Sequence, residues 1–325
     1  MDIDLSVLRG LEREKEIPFK ELVEIIEAAV LAAYHRHVGN HDKARAVLDQ
    51  KTGHVQIFAT TLDEAGNETG ETEATPDDFG RIAANAAKQV IAQRLRELND
   101  EGLFGEFKGK DGDIVAGTIQ QGPRQYMVYV DLGSIEAIMP PEEQVPGEDY
   151  SHGKRIRAYV TNVSRGPKGP QVTVSRTHPG LIRKLFALEV PEIADGVVEI
   201  VSVAREPGHR TKIAVKANNP AVNAKGACIG ELGQRVRAVQ AELNEEKIDI
   251  VDYSEDLAKF VAQALSPAKV SDAFVINAEE RQIRVLVPDF QLSLAIGKEG
   301  QNARLAAKLT GAKIDLQPES ILEDD

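Results

Sequence analysis

Apolar residues in the first hundred positions recur at two spacings. Leu22, Ile25, Ile26, Ala29 and Val30 fall at helical intervals, as do Phe79, Ile82, Ala86, Val90 and Leu95. Between these groups, Arg45 to Leu48 and Val55 to Ala59 are strand-like. The pattern predicts two helices, two strands and a long helix, making an α+β domain over residues 1–105. Asp63 to Pro76 is rich in Glu, Thr and Gly and reads as an exposed loop, with Thr75-Pro76-Asp77-Asp78 as the start signal of the long helix.

Glycines between Gly102 and Gly112 mark a boundary, after which the pattern changes to short β-runs at about 113–120, 125–131, 135–139, 154–163 and 170–175. Turn residues separate them at Gln121-Gly122-Pro123-Arg124, Pro140 to Gly153 and Ser164 to Gly169. Five strands within residues 106–179 predict an OB-type barrel of the S1 kind.

The C-terminal half repeats itself. Ile229-Gly230-Glu231-Leu232-Gly233-Gln234-Arg235-Val236-Arg237 returns as Ile296-Gly297-Lys298-Glu299-Gly300-Gln301-Asn302-Ala303-Arg304. Each copy leads through a helix to a matching strand, Lys247-Ile248-Asp249-Ile250 and Lys313-Ile314-Asp315-Leu316. Each also follows a helix, two strands and a short apolar helix, beginning at Leu181 in the first copy and Leu257 in the second. The order α-β-β-α-α-β with Gly-x-x-Gly between the last two helices predicts two tandem type II KH domains, over 180–252 and 253–325.

A Gly-x-x-Gly turn lets a phosphodiester backbone approach the main chain, since neither glycine carries a Cβ. The helix behind it points free N–H groups and its positive dipole end at the phosphates, and the bases turn toward the adjacent helix and strand. One such motif often merely caps a helix; two copies in the same six-element context point to single-stranded RNA. The candidate RNA contacts are Gly230, Glu231, Leu232, Gly233, Gln234, Arg235 and Arg237 in the first copy, and Gly297, Lys298, Glu299, Gly300, Gln301 and Arg304 in the second. Glu231 puts a carboxylate where RNA should pass unless Arg235 and Arg237 offset it, so the second loop, with Lys298, ranks as the stronger phosphate contact.

On an OB barrel the ligand crosses strands 2 and 3 and the loops joining strands 1 to 2 and 4 to 5. Arg124 is expected in the first of these loops, and Arg165 and Lys168 in the other. Tyr126 shares its strand face with Val128 and Val130 and is expected in the core, leaving Tyr129 as the stacking candidate. A barrel serving only as a solvated spacer is the alternative.

Charge sharpens this picture. The formal charge is −13, spread as −8, 0 and −5 over residues 1–105, 106–179 and 180–325. No segment is strongly basic, so RNA contact must be local. Cys228 is the single cysteine, which excludes an internal disulfide and a Cys-rich metal site and fits a reducing cytoplasm. It lies in an apolar run and is expected to be a buried structural thiol. Met1 to Arg13 is charged throughout and nowhere do eighteen apolar residues run together, so neither secretion nor a membrane span is expected. His35, His37 and His41 are expected to be a solvated helix end and not a metal site. Neither a metal nor any other cofactor is expected.

An N-terminal α+β domain, an S1 barrel and two KH modules in this order resemble the NusA family of bacterial transcription elongation, termination and antitermination factors. The resemblance is carried by Pro76-Asp77-Asp78-Phe79-Gly80-Arg81-Ile82-Ala83, Arg176-Thr177-His178-Pro179-Gly180-Leu181, Val203-Ala204-Arg205-Glu206-Pro207-Gly208, Lys225-Gly226-Ala227-Cys228-Ile229-Gly230 and Gln291-Leu292-Ser293-Leu294-Ala295-Ile296-Gly297, and it is closest to actinobacterial members. It implies an N-terminal domain that binds RNA polymerase near the RNA exit channel. It also implies S1 and KH modules that guide nascent RNA to influence pausing, termination and antitermination, with other Nus factors as further partners. The family's first KH loop commonly lacks the acid found here as Glu231. The chain ends at Leu322-Glu323-Asp324-Asp325, so the autoinhibitory C-terminal repeats of some relatives are not expected. Exposed acids such as Glu12, Glu14, Glu16, Glu21 and Glu24 could meet a basic polymerase surface or simply be a solvated helix face.

Rival readings fit less well. Polynucleotide phosphorylase shares S1 and KH modules but needs large catalytic domains that residues 1–105 cannot supply. No Gly-x-x-x-x-Gly-Lys-[Ser/Thr] loop occurs, which removes a KH-bearing GTPase. No enzymatic activity is expected. A KH/S1 factor in ribosome assembly or translation is the alternative binding function, separable by copurification with RNA polymerase or with ribosomal subunits.

Overall fold

Asp4 starts the first helix: its carboxylate accepts the Ser6 N–H at 2.8 Å, satisfying a donor that the helix itself cannot. The computed structural model describes residues 3–39, 43–62, 68–166 and 169–322. It divides into two compact units between Gly102 and Leu103.

The first unit holds α1 (Leu5–Lys15), α2 (Phe19–Val38), a sheet of β1 (Ala44–Leu48), β2 (Val55–Leu62) and β3 (Glu68–Glu73), and the start of α3 (Phe79–Lys108). The sheet is antiparallel in the order β1-β2-β3. Leu22, Val23, Ile26, Val30, Ala33 and Tyr34 line the buried side of α2 and pack with Leu8, Ile57, Phe79 and Ala83. β3 lies in the segment expected to be a loop. All six of its residues are exposed, so it carries no apolar alternation by which a strand is recognised. Of the acids, Glu21 pairs with Arg94 at 2.6 Å and Glu24 with Lys20 at 3.7 Å, while Glu12, Glu14 and Glu16 are exposed. Gly102 and Gly105 do not interrupt α3, whose last turn buries Phe107 in the core of the barrel that follows.

In the second unit, β4 (Ile114–Gln120), β5 (Val128–Asp131), β6 (Glu136–Met139), β7 (Arg155–Gly166) and β8 (Gly169–Ser175) form a closed barrel in the order β4-β5-β6-β8-β7. Ile119, Val130, Met139, Ile156, Val160, Val172 and Val174 fill it. The first repeated module follows: α4 (Pro179–Glu189), α5 (Pro191–Ala194), β9 (Val198–Glu206), β10 (Arg210–Ala217), α6 (Ala224–Ile229), α7 (Gln234–Glu242) and β11 (Lys247–Asp252). The second comprises α8 (Leu257–Ala264), β12 (Asp272–Asn277), β13 (Gln282–Val287), α9 (Leu292–Ile296), α10 (Gln301–Thr310) and β14 (Lys313–Pro318). In both sheets the second strand is central, antiparallel to the first and parallel to the last. The six-element order of the repeat is thus observed, with one added short helix, α5.

The first module's sheet is covered on both faces. Its own α4, α6 and α7 pack Leu181, Phe186, Cys228 and Val239 against Ile213, Val215 and Ile250. On the other face Ala204, Ala214 and Val251 share a core with Phe260, Val261, Leu305 and Leu309 of the second module. Lys212, fully buried, ties this seam by donating to Asp249 at 2.9 Å and to the Ser266 carbonyl at 2.7 Å. Burial pushes the Lys212 pKa down, partly offset by Asp249.

A second buried cation joins barrel to module. Arg176, 2 % exposed, bonds Glu148, donates to the Arg157 carbonyl at 3.0 Å and to the Glu242 carbonyl at 2.8 Å. Next to it the Tyr159 and His178 rings stack at 4.4 Å, and His178 Nδ1 caps α4 by accepting the Gly180 N–H at 3.0 Å.

Candidate nucleic-acid interface

The two Gly-x-x-Gly loops have nearly the same backbone. Gly230 has φ 74° and ψ 173°, and Gly297 φ 79° and ψ 171°; Gly233 and Gly300 are left-handed at φ 76° and 73°. Between them Leu232 and Glu299 are left-handed too, at φ 50° and 54°. In each loop the second glycine donates to the carbonyl of the first at 3.1 Å. The repeat in sequence is therefore a repeat in conformation, with the loop's outer surface unobstructed by glycine side chains.

Residues behind the loops hold them. Arg237 donates to the Leu232 carbonyl and Arg304 to the Glu299 carbonyl at 3.0 Å, so each arginine pins the apex of its own loop. Arg235 is committed inward: it donates to the Ala227 carbonyl at 2.7 Å and to Glu192 at 2.8 Å. Its side chain runs under the loop, where a Cβ added at Gly230 would fall 2.6 Å from it. Asn302 at the equivalent position is buried and donates to the carbonyls of Leu265 at 2.9 Å and Ala295 at 3.0 Å. Its amide reads as an ordinary polar surface residue in the sequence and was not among the expected site residues.

Glu231, Leu232, Gln234, Lys298 and Glu299 are exposed, with Leu232 88 % accessible at the loop apex. Gln301 and Arg304 are brought to a residue that sequence reasoning did not single out: Glu206, at the end of β9, accepts from both. A cleft of about 550 Å³ opens there, lined by Glu206, His209, Lys247, Lys298 and Arg304 among others. Leu294 and Ile296, exposed on α9, offer apolar surface beside the second loop. The turn carrying Glu206 is braced from within by Glu246, which accepts from Arg205 and Thr211 and from the Gly208 N–H at 2.8 Å. Burial drives the Glu246 pKa up, and these hydrogen bonds, Arg205's foremost, more than reverse it, leaving it below the usual carboxylate value.

The barrel's candidates separate. Arg124 is exposed in the β4–β5 connection, beside a cleft of about 680 Å³. Arg165 lies within β7, opposite Pro170, and not in the loop; its guanidinium sits over the Phe104 ring at 4.8 Å. Lys168 lies outside the described residues, as does His41. The two tyrosines exchange roles. Tyr129 is 8 % exposed, its ring covered by the Gly122 turn so closely that a Cβ there would fall 2.0 Å from the ring. Tyr126 is 60 % exposed because the chain turns at Arg124–Met127 and β5 begins only at Val128, so period-two counting does not extend back to it. The accessible aromatic of the barrel is Tyr126.

Cys228 is fully buried and its thiol is pushed up to about 12 by burial, the state of a structural thiol. Among the described residues no group of His, Cys, Asp and Glu is placed to hold a metal ion, and no helix is long and apolar enough to cross a membrane.

Family models match three parts of the chain: a NusA N-terminal domain at residues 5–63 and 59–101, a NusA-like first KH domain at 176–253 and a NusA-like second KH domain at 257–324. The transcription termination/antitermination protein NusA of Mycobacterium tuberculosis is 55% identical over 324 residues, covering 98% of this chain and 93% of that protein. The protein of the same name from Bacillus subtilis is 47% identical, covering 97% and 91%. Among solved structures, the solution structure of the N-terminal domain of NusA from B. subtilis is similar at 36% identity and a TM-score of 0.25, covering 29% of this chain and 93% of that one.

Proposed function

This chain belongs to the NusA family, and from that we propose that it is a transcription termination and antitermination factor that holds single-stranded nascent RNA on its two KH loops while residues 1–105 engage RNA polymerase. The observation that carries the RNA reading is the conformational identity of the two loops. Each presents a phosphate-accessible turn backed by a helix start, and each is pinned at its apex by an arginine. A strand crossing both loops is held by its backbone, with bases directed to surfaces such as Leu294 and Ile296. The barrel adds Arg124 and Tyr126 as a local platform.

Positioning RNA at the polymerase needs no bond-making residue, so the chain acts on pausing and termination by geometry and carries no turnover of its own. It works in the cytoplasm. Copurification of the full chain with core RNA polymerase, followed by footprinting on the nascent transcript, tests this. Recovery with ribosomal subunits in place of polymerase overturns it.

A further inference from the structure

Gln301 and Arg304 share one acceptor. Arg304 Nε donates to Glu206 Oε1 at 2.7 Å and Gln301 Nε2 donates to Glu206 Oε2 at 2.8 Å. Glu206 belongs to the first module and its two partners to the second. The first loop has no counterpart: Gln234 is exposed, and the one hydrogen bond of the Arg237 side chain among the described residues goes to Leu232 of its own loop. A carboxylate spreading its two oxygens over two separate donors fills the same role as a phosphodiester's two non-bridging oxygens. The carboxylate is also held in place. Arg205 and Gly208, on either side of it in the chain, both donate to the buried Glu246. Lys298 and Lys247 line the adjoining cleft beside Glu245 and Glu299, so an anionic strand entering it meets a cation and an acid from each module.

We propose that Gln301 and Arg304 form a phosphate site of the second KH module and that Glu206 is a competitor built into the first, which RNA must displace to reach them. The inference rests on the second loop binding RNA. Arg304 Nη1 keeps its bond to the Glu299 carbonyl during the exchange, so the loop stays pinned while Nε changes partner. The phosphate replaces one anion with another. Salt screens the Arg304–Glu206 pair and so eases its opening while it weakens the phosphate contact, and the exchange therefore adds less to the salt dependence of binding than a phosphate meeting an unpaired cation would. Removing the charge at position 206 restores that contribution.

The test uses the full chain and a labelled, unstructured single-stranded RNA, with anisotropy read at several salt concentrations. Glu206→Gln keeps the shape and an acceptor for Gln301 while removing the charge. A competitor of surface ion-pair strength holds binding back about 1.4- to 5-fold, so Glu206→Gln is expected to tighten binding by that factor. It is also expected to steepen log affinity against log salt, by up to about 0.7. In Glu206→Gln/Arg304→Ala both gains disappear. Unchanged or weaker binding by Glu206→Gln, at an unchanged slope, overturns the competitor and makes Glu206 a support for Arg304. Gly300→Asp separates the two levels. If it weakens binding while Glu206→Gln does nothing, only the competitor falls; if it leaves binding intact, the second loop is not an RNA site and the competitor falls with it.

Discussion

Replacing Gly297 by alanine should damage the protein far more than the same change at Gly300, although both are glycines of one loop. Gly297 sits at φ 79° and ψ 171°, a region that essentially only glycine occupies, at a cost of about 1–3 kcal/mol for other residues. Its added Cβ would also lie 2.8 Å from both the backbone nitrogen and the Cβ of Asn302. The first turn of α10 must then shift, and overpacking of this kind costs about 1–3 kcal/mol more. Gly300 is left-handed at φ 73° and ψ 12°, a conformation costing other residues about 1–2 kcal/mol, and the nearest atom to its added Cβ is the flexible end of Arg304 at 4.0 Å. Glu299, left-handed beside it, shows that this loop accommodates a side chain in that conformation. Urea unfolding of the full chain should therefore separate the two variants by about 2 kcal/mol. RNA anisotropy should show Gly300→Ala weakened with its fold intact, because its Cβ stands in open space on the face proposed to meet phosphate. Equal stability losses, within about 0.5 kcal/mol, would refute the assignment of a structural role to the first glycine and a contact role to the second.

Arg176→Met should destabilise the full chain by about 3–5 kcal/mol in denaturant titrations, since it leaves the buried Glu148 carboxylate without its cation, with Tyr150 and Asn244 as donors, and removes a donor from two carbonyls; a loss below about 1 kcal/mol would contradict the joint between barrel and module. Glu231→Lys should tighten single-stranded RNA binding and steepen its salt slope by about 0.7, and an unchanged slope would take Glu231 off the RNA path. The folded-state pKa of Glu246 lies below its ordinary 4.5, so its contribution to stability is full above 4.5 and is lost as pH falls through the folded value. Unfolding midpoints measured between about pH 7 and pH 3 should fall less steeply on the acid side for Glu246→Gln than for the parent, and identical acid limbs would exclude Glu246 as the source.

The repeat was legible because it is written in residues whose backbone behaviour is distinctive: two glycines at fixed spacing, with matched helices and strands around them. The same reasoning found the five barrel strands from apolar runs and turn residues. It missed β3, whose residues are all exposed and which pairs with β2. It reversed Tyr126 and Tyr129 because parity along a strand says nothing of where the strand starts or what folds over its outer face. Arg235 and Arg237 look alike as charges, yet one points under the loop and the other holds its apex. Glu206 carries no local signal of a link to the second loop. It lies 95 residues from Gln301 and meets it only because the second module's helices lie on the first module's sheet.

That covering of one sheet by the neighbouring module's helices bears on how the duplicated half can diverge. Ala204, Ala214 and Val251 on one side and Leu305 and Leu309 on the other must change together, and Lys212 must keep the Ser266 carbonyl within reach. The two copies are thus not interchangeable beads on a string. A recombinant chain that exchanges one copy for a relative's inherits a mismatched seam, whereas exchange of residues 180–322 as a single cassette carries the seam intact. Exposed loop positions such as Glu231, Leu232, Lys298 and Glu299 lie outside that seam, so they are free to differ between the two copies without disturbing it.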